Sequence, residues 1–238
     1  MIFAAGLGTR LRPLTAEKPK ALVEVCGQTL LSRAIGHLVG SNIKNIVVNV
    51  HHFADMIIDY VETNRWQWDC DIIISDEREQ LMDTGGGLRK TLSLWANADD
   101  IVVCNADVVC NVDLCQMIEV HRSKSSDATL LVSGRKSSRA LLWTTDGHLA
   151  GWRNFSSGEE KLVGRADMVT PLAFNGFHVV RQDLVWQMPS DVPFPIIDEY
   201  LRLAKNNSIM CYQSTGYHWF DVGTIEKLKV AEEYLCAL

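Results

Sequence analysis

For its first 122 residues the chain alternates short apolar runs with stretches of helical spacing. Residues 2–5 (Ile-Phe-Ala-Ala), 46–50, 71–75 and 101–104 are brief apolar runs, short enough to be buried strands. Between them Leu30, Leu31, Ala34, Ile35, Leu38 and Val39 recur on one helical face. The stretches 54–61, the helix holding Leu88, Leu92 and Leu94, and 113–122 read as further helices. This alternation predicts a parallel sheet of right-handed βαβ units. Beyond residue 127 the pattern changes. Runs at 128–133, 140–144, 148–152 and 172–180 have short connections and predict mixed or antiparallel pairing, with Asp146-Gly147 as a hairpin turn. A helix near 195–205, short strands near 209–220 and a closing amphipathic helix from Thr224 complete the chain. The polar, glycine-containing stretch 156–165 reads as a mobile loop, and no linker or repeat interrupts the pattern.

The first apolar run opens directly into Gly6-Leu7-Gly8-Thr9-Arg10-Leu11-Arg12-Pro13-Leu14-Thr15, and Pro19-Lys20 closes the stretch. Glycines at 6 and 8 let backbone N–H groups approach a bulky anion with no Cβ in the way. Arg10 offers a planar fork for phosphate oxygens and Lys20 a compact point charge. Strand, glycine loop and two cations describe a polyphosphate cradle. Spacing excludes two other phosphate motifs. Thr9-Arg10 stands where a P-loop has Lys-Ser/Thr, and Leu11 stands where the dinucleotide pattern has its third small residue. A bare G-x-G also serves as a strand-ending turn flanked by surface cations.

Composition narrows the class. With 238 residues, 47% apolar and 22% charged, the chain suits one large α/β domain with a substantial core. A net charge of −6 argues against a nucleic-acid binder, whose basic surface would show in the balance. No run of about 18 apolar residues predicts a membrane span, and the N-terminus lacks the basic region of a secretory signal. The seven cysteines form no C-x-x-C and fit no zinc spacing, so the expectation is free thiols in a reducing cytoplasm. His51-His52 would point to opposite faces of a strand, which suits a structural or rim role better than a shared metal.

Two carboxylates carry further chemistry. Asn105-Ala106-Asp107 follows the fourth strand, where ligands of open α/β sheets gather. Asp221 lies in Trp219-Phe220-Asp221-Val222-Gly223-Thr224, an apolar setting that is costly for a carboxylate unless it is paired or metal-bound. Turn formation or helix capping explains either one alone; together they fit a magnesium ion shared with a triphosphate. Asp83-Thr84-Gly85-Gly86-Gly87 reads as a glycine-rich turn before a helix, and close approach of a base and ribose is one reason for its glycines. Asn175-Gly176 inside an apolar strand suggests a bulge or a ligand near the backbone. Asp198 and Glu199 fit a solvated helix face.

The whole run G-x-G-T-R-L-x-P-L-T-x-x-x-P-K resembles the signature of the nucleotidyltransferases that join a sugar 1-phosphate to a nucleoside triphosphate. The resemblance spans Gly6 to Thr224. It implies a single-domain, Rossmann-like (GT-A-like) α/β fold with a mixed, mostly parallel sheet flanked by helices. A nucleotide-binding half would cover about 1–125 of the 1–238 domain and a sugar-binding half about 126–238. Gly6, Gly8, Thr9 and Arg10 would hold the triphosphate, with Gly85 and Asn105 in the nucleotide pocket. Lys20 would reach the reacting phosphates, so Arg10, Lys20 and Asp107 form the expected catalytic set. The Asn-Ala-Asp and Trp-Phe-Asp-Val-Gly-Thr stretches look like the family's two metal-aspartate motifs, making Asp107 and Asp221 the expected Mg2+ ligands. Asn175 would meet the sugar. Lys161, in a partial match to the family's Glu-Lys-Pro stretch, would meet the sugar phosphate, with Arg165 as the alternative.

The Thr84–Gly87 form is similar to that of bacterial N-acetylmuramic acid 1-phosphate uridylyltransferases. Mannose and heptose 1-phosphate guanylyltransferases carry related forms, so UTP is favoured while GTP or CTP stays open. The implied partners are a nucleoside triphosphate and a sugar 1-phosphate, with no nucleic acid or membrane, in a cytoplasmic monomer or homo-oligomer. No left-handed helical acyltransferase region follows Thr224, which sets the chain apart from two-domain acetylating relatives. A different class, a non-catalytic nucleotide-sugar-binding regulator, has no use for Arg10, Lys20, Asp107 and Asp221 together.

Overall fold

The structure, a computed structural model, describes residues 1–95, 98–164 and 168–237. In chain order its elements begin with β1 (Ile2–Phe3), β2 (Glu24–Val25), β3 (Gln28–Thr29), α1 (Leu30–Gly40), β4 (Asn45–Val50), α2 (Ala54–Asn64) and β5 (Asp71–Asp76). There follow α3 (Asp83–Lys90), β6 (Asp100–Asn105), β7 (Val108–Cys110), α4 (Leu114–Ser123), β8 (Ala128–Ser133), β9 (Arg139–Trp143), β10 (Leu149–Asn154) and β11 (Glu160–Leu162). The last are β12 (Thr170–Arg181), α5 (Gln182–Trp186), α6 (Ile196–Leu203), β13 (Ile209–Tyr212), β14 (Trp219–Asp221) and α7 (Ile225–Leu235). They form two compact units. The first takes residues 1–81, 104–114 and the chain from Tyr217 on; the second takes 82–103 and 115–216.

In the first unit β1 pairs in parallel with both β4 and the end of β6, and β4 pairs in parallel with β5. Every residue of β4 after Asn45 is buried, as expected for a parallel strand covered on both faces. The register sets Phe3 beside Asn105, so β1 and β6 finish on the same edge of the sheet. The glycine loop and Asp107 therefore leave from neighbouring strand ends. Helix α1 forms where the sequence places it: Thr29 caps its first turn through Ser32 N–H at 3.1 Å, and Leu30, Leu31, Ile35 and Leu38 are buried. Each such side chain contributes about 1.5–3 kcal/mol. Thr224 likewise caps α7, and Leu228 and Ala231 pack on Val23, Val25, Val109 and Val222.

Cys26 and Cys236 form a disulfide joining the β2–β3 turn to the end of α7, with Cα atoms 5.7 Å apart. This corrects the expectation that all the cysteines are free. The return of α7 onto β2 brings together two residues 210 positions apart, a closure that spacing alone does not reveal.

The second unit is largely antiparallel. β12 pairs with β8 and β9, β9 with β10, and β10 with β11, while β13 runs parallel to β8. The register shifts between Phe174 and His178, where Gly176 has φ 80°, so the Asn175-Gly176 pair marks a bulge. Two local expectations change here. Gly85–Gly87 lie inside α3 and not in a turn before it, because the helix starts at Asp83. Part of 156–165 is the edge strand β11, paired to β10, and not loop throughout. The architecture is the expected α/β fold with a mixed central sheet.

Candidate active site

The glycine loop is held from beneath by a buried polar chain. Asn49 Oδ1 accepts from Ala4 N–H at 2.7 Å and from Ala5 N–H at 3.3 Å, and its Nδ2 donates to Glu77 Oε1 at 2.9 Å. His51 Nδ1 donates to the Glu77 carbonyl at 2.7 Å, which fixes the proton on that nitrogen. Asn49 and Glu77 are 2% and 1% exposed, so these protein hydrogen bonds stand in place of water. Gly8 adopts φ 63°, and a Cβ there would lie 3.1 Å from the Lys20 Cβ and 3.2 Å from the Thr15 methyl. The Gly8 carbonyl accepts from Thr15 Oγ1 at 2.7 Å and from Leu11 N–H at 3.0 Å. Buried Leu11 anchors this turn, leaving Thr9 and Arg10 exposed. Gly6 is different: a Cβ there would meet nothing within 4 Å, so no neighbouring group requires a glycine at that position.

The two candidate metal carboxylates meet through a short ribbon, not through the main sheet. β7 and β14 pair antiparallel, with Asp221 opposite Val108, and Val222 N–H donates to the Asp107 carbonyl at 2.9 Å. Lys20 Nζ forms an ion pair with Asp107 Oδ2, and Lys227 Nζ one with Asp221 Oδ2. Asn105 is half-buried at the end of β6. A Cβ on Gly223 would lie 2.7 Å from Asp221 Oδ1 and 3.4 Å from Arg10 Nη2. Glycine thus leaves a cradle open between a carboxylate and a guanidinium. Among the described residues no cluster of three or more His, Cys, Asp or Glu is placed to hold a metal ion. The donor set of two carboxylates beside a phosphate-binding loop fits Mg2+, which takes one or two carboxylates and completes its shell with phosphate oxygens and water.

The remaining candidates belong to the second unit. Gly85 is packed by the chain itself: a Cβ on it would overlap the Phe194 ring, and its N–H donates to the Phe194 carbonyl at 2.9 Å. Thr84 Oγ1 accepts from Ile196 N–H at 2.9 Å, completing the seam between α3 and the start of α6. Asn175 is 1% exposed, with Oδ1 accepting from Arg135 Nε at 2.8 Å and Nδ2 donating to Ser133 Oγ at 3.1 Å. Lys161 Nζ donates to Asp198 Oδ1 at 2.7 Å and stands 5.4 Å from the Trp152 ring centre. The Asp198 hydrogen bond holds the lysine pKa above its ordinary value. Arg165 lies outside the described residues. Asp198 is therefore a partner of Lys161, and Glu199, 6% exposed, grips Arg202 through Oε2 at 2.9 Å; neither is a merely solvated group.

A cavity of about 490 Å³ opens beside these groups, lined by Arg135, Arg139, Trp152, Lys161, Phe174 and Asp198 among others. Sequence reasoning missed several of its residues, and it also missed Asn49, Glu77 and Lys227. Asn49 carried a readable signal: an amide inside the apolar run 46–50 needs a buried partner. Arg135 and Arg139 carried none, because a cation between two strands is ordinarily a surface residue.

Known proteins resemble this chain over most of its length. The Nucleotidyl transferase family model matches residues 1–141. The N-acetylmuramate alpha-1-phosphate uridylyltransferase of Caulobacter vibrioides is 31% identical, aligning over 99% of this chain and 96% of its own length. A mannose-1-phosphate guanyltransferase of Hypocrea jecorina is also 31% identical, over 94% of this chain and 60% of its own length. Among solved structures, HddC of Yersinia pseudotuberculosis complexed with GMP-PN shares the fold with a TM-score of 0.79 at 21% identity, covering 98% of this chain and 97% of its own. The family match and these relatives define an enzyme that transfers a nucleotidyl group, uridylyl or guanylyl, to a sugar 1-phosphate. The chain belongs to the nucleotidyl transferase family.

Proposed function

We propose that this enzyme is a magnesium-dependent uridylyltransferase, taking UTP and a sugar 1-phosphate to a UDP-sugar and pyrophosphate. N-Acetylmuramic acid 1-phosphate is the favoured sugar. The observation that carries the reading is the clustering of Lys20, Asp107 and Asp221 beside the loop bearing Gly6, Gly8, Thr9 and Arg10. The preference for UTP rests on the near full-length likeness to the Caulobacter enzyme.

The chemistry asks for positioning more than for acid–base catalysis. A phosphomonoester is largely dianionic at neutral pH, its second pKa being near 6, so the sugar phosphate oxygen attacks the α-phosphorus without a general base. The protein must hold two anions together and stabilise charge on the leaving pyrophosphate. The open face of Gly6 admits a phosphate to the loop N–H groups, Arg10 meets the leaving pyrophosphate, and Asn105 supports the nucleotide. Lys20 exchanges its Asp107 partner for phosphate oxygens. Asp107 and Asp221 would hold Mg2+, which supplies charge neutralisation to the phosphates when bound. Lys161 serves the sugar side, whereas Asn175, expected to meet the sugar, is buried with its amide bonded to Arg135 and Ser133 and acts there only by holding Arg135 in the wall. With UTP as its substrate the enzyme would act in the cytoplasm, in supply or recycling of cell-wall sugars.

A guanylyltransferase is the second reading, favoured by the mannose-1-phosphate relative and the HddC fold likeness. The deciding experiment incubates the enzyme with each common triphosphate, magnesium and N-acetylmuramic acid 1-phosphate or mannose 1-phosphate, and identifies the product by mass spectrometry. A UDP-sugar supports the proposal. A GDP-sugar alone moves it to the second reading, and nucleotide binding with no product from any pair moves it to a regulator.

A further inference from the structure

We propose that Arg139 is the specificity-determining residue of the sugar pocket, the group that receives a carboxylate carried by the sugar. The inference rests on the sugar pocket of the proposed function and names what that pocket selects. β9, β10 and β11 present one face together: Arg139 stands opposite Asn154, Leu141 opposite Trp152, and Trp152 opposite Lys161. Directly paired residues of neighbouring strands point to the same side, and so do residues two apart on one strand. Arg139, Trp152 and Lys161 therefore share one face, and all three line the 490 Å³ cavity. That volume suits a single sugar with its substituents.

The three cations of the cavity are not equivalent. Arg135 is built into the wall, its Nε donating to Asn175 and its Nη2 to the Phe174 carbonyl, both at 2.8 Å. Lys161 is paired with Asp198 and rests near Trp152. Arg139 is exposed, and among the described residues its guanidinium makes no hydrogen bond or ion pair. A sugar 1-phosphate carries one phosphate, and Lys161 is the cation assigned to it. A second cation without a protein partner on the same face suits a second anion. The planar guanidinium fork matches a carboxylate in bidentate geometry better than an ammonium does. The ring of Trp152 offers an apolar floor between the two charges.

The test compares wild type with Arg139→Gln and Arg139→Lys on two substrates, N-acetylmuramic acid 1-phosphate and N-acetylglucosamine 1-phosphate, which lacks the carboxylate. Calorimetric binding of the two unphosphorylated sugars accompanies the kinetics. Arg139→Gln should lower kcat/KM for the acidic substrate by roughly 10- to 100-fold, the worth of a charge-assisted pair, and leave the neutral one within about twofold. Arg139→Lys should fall between, and an unchanged melting temperature should accompany both variants. Equal losses on both substrates would mean that Arg139 holds the phosphate, and no loss on the acidic one would mean that it is idle; either result overturns the proposal. Absence of pyrophosphate release with every sugar would sink the uridylyltransferase reading instead. The binding comparison would still decide the role of Arg139.

Discussion

Lys20 and Asp107 are bonded to each other, ammonium to carboxylate, although the sequence assigns one to phosphate and the other to metal. Their side chains are 12% and 28% exposed, so the pair is partly shielded from solvent. Each holds the other in place, and a triphosphate with its cation would let each exchange its partner for a ligand. Lys20→Ala should therefore lower turnover on the order of 100- to 1000-fold, as loss of a charge donor does at comparable sites. Steady-state kinetics on a variant with an unchanged melting temperature checks this.

Asp107 and Asp221 are linked through Val222 N–H and the β7–β14 ribbon, so they should act as a unit. Asp107→Ala should cost at least as much turnover as Lys20→Ala and abolish the magnesium dependence of UTP binding. Asp221→Asn should weaken that dependence in the same direction. Calorimetric titration of UTP with and without magnesium measures both. Retained magnesium dependence in either variant would count against the carboxylate pair.

The loop glycine and the helix glycine should respond in opposite ways. A methyl at Gly6 finds open space, so Gly6→Ala should keep its melting temperature and raise the KM for UTP. A methyl at Gly85 collides with Phe194, so Gly85→Ala should lose about 1–3 kcal/mol of stability by overpacking. Phe194→Ala introduced beside it should relieve that collision. Denaturant midpoints and UTP kinetics on the three variants separate the two roles.

His178 sets an acid limit on the second unit. It is 1% exposed, neither ring nitrogen finds a partner among the described residues, and burial pushes its pKa down to about 3. An unfolded histidine titrates near pH 6.5, so below that pH the unfolded chain takes up a proton that the folded chain refuses. Stability should fall as pH drops from about 6.5 towards 3, by about 2 kcal/mol at pH 5 from this residue. Urea midpoints at pH 7 and pH 5 should show the loss, and His178→Phe should reduce it. An identical pH dependence in the variant would assign the effect elsewhere.

The parallel half of the fold was legible because β4 is buried on both faces and α1 on one. The runs 46–50 and 101–104 and the face of Leu30, Ile35 and Leu38 state their environment directly. The phosphate loop was legible for a related reason: Gly8 needs a positive φ and a close approach to Lys20 and Thr15, and few residues permit either. What stayed hidden depends on distant chain segments. Phe194 fills the space that Gly85 leaves, Cys236 returns to Cys26, and the units take residues from separated stretches of the chain. Arg139 was hidden because its significance lies in having no partner, which only the surrounding structure shows.

Pyrophosphate release with N-acetylmuramic acid 1-phosphate, measured with UTP and with GTP, each with and without magnesium, decides whether the enzyme is a magnesium-dependent uridylyltransferase. Release should need magnesium, with a kcat/KM for UTP at least roughly tenfold above that for GTP, a difference of about 1.4 kcal/mol. Preference for GTP, or equal release after magnesium is chelated, would contradict it.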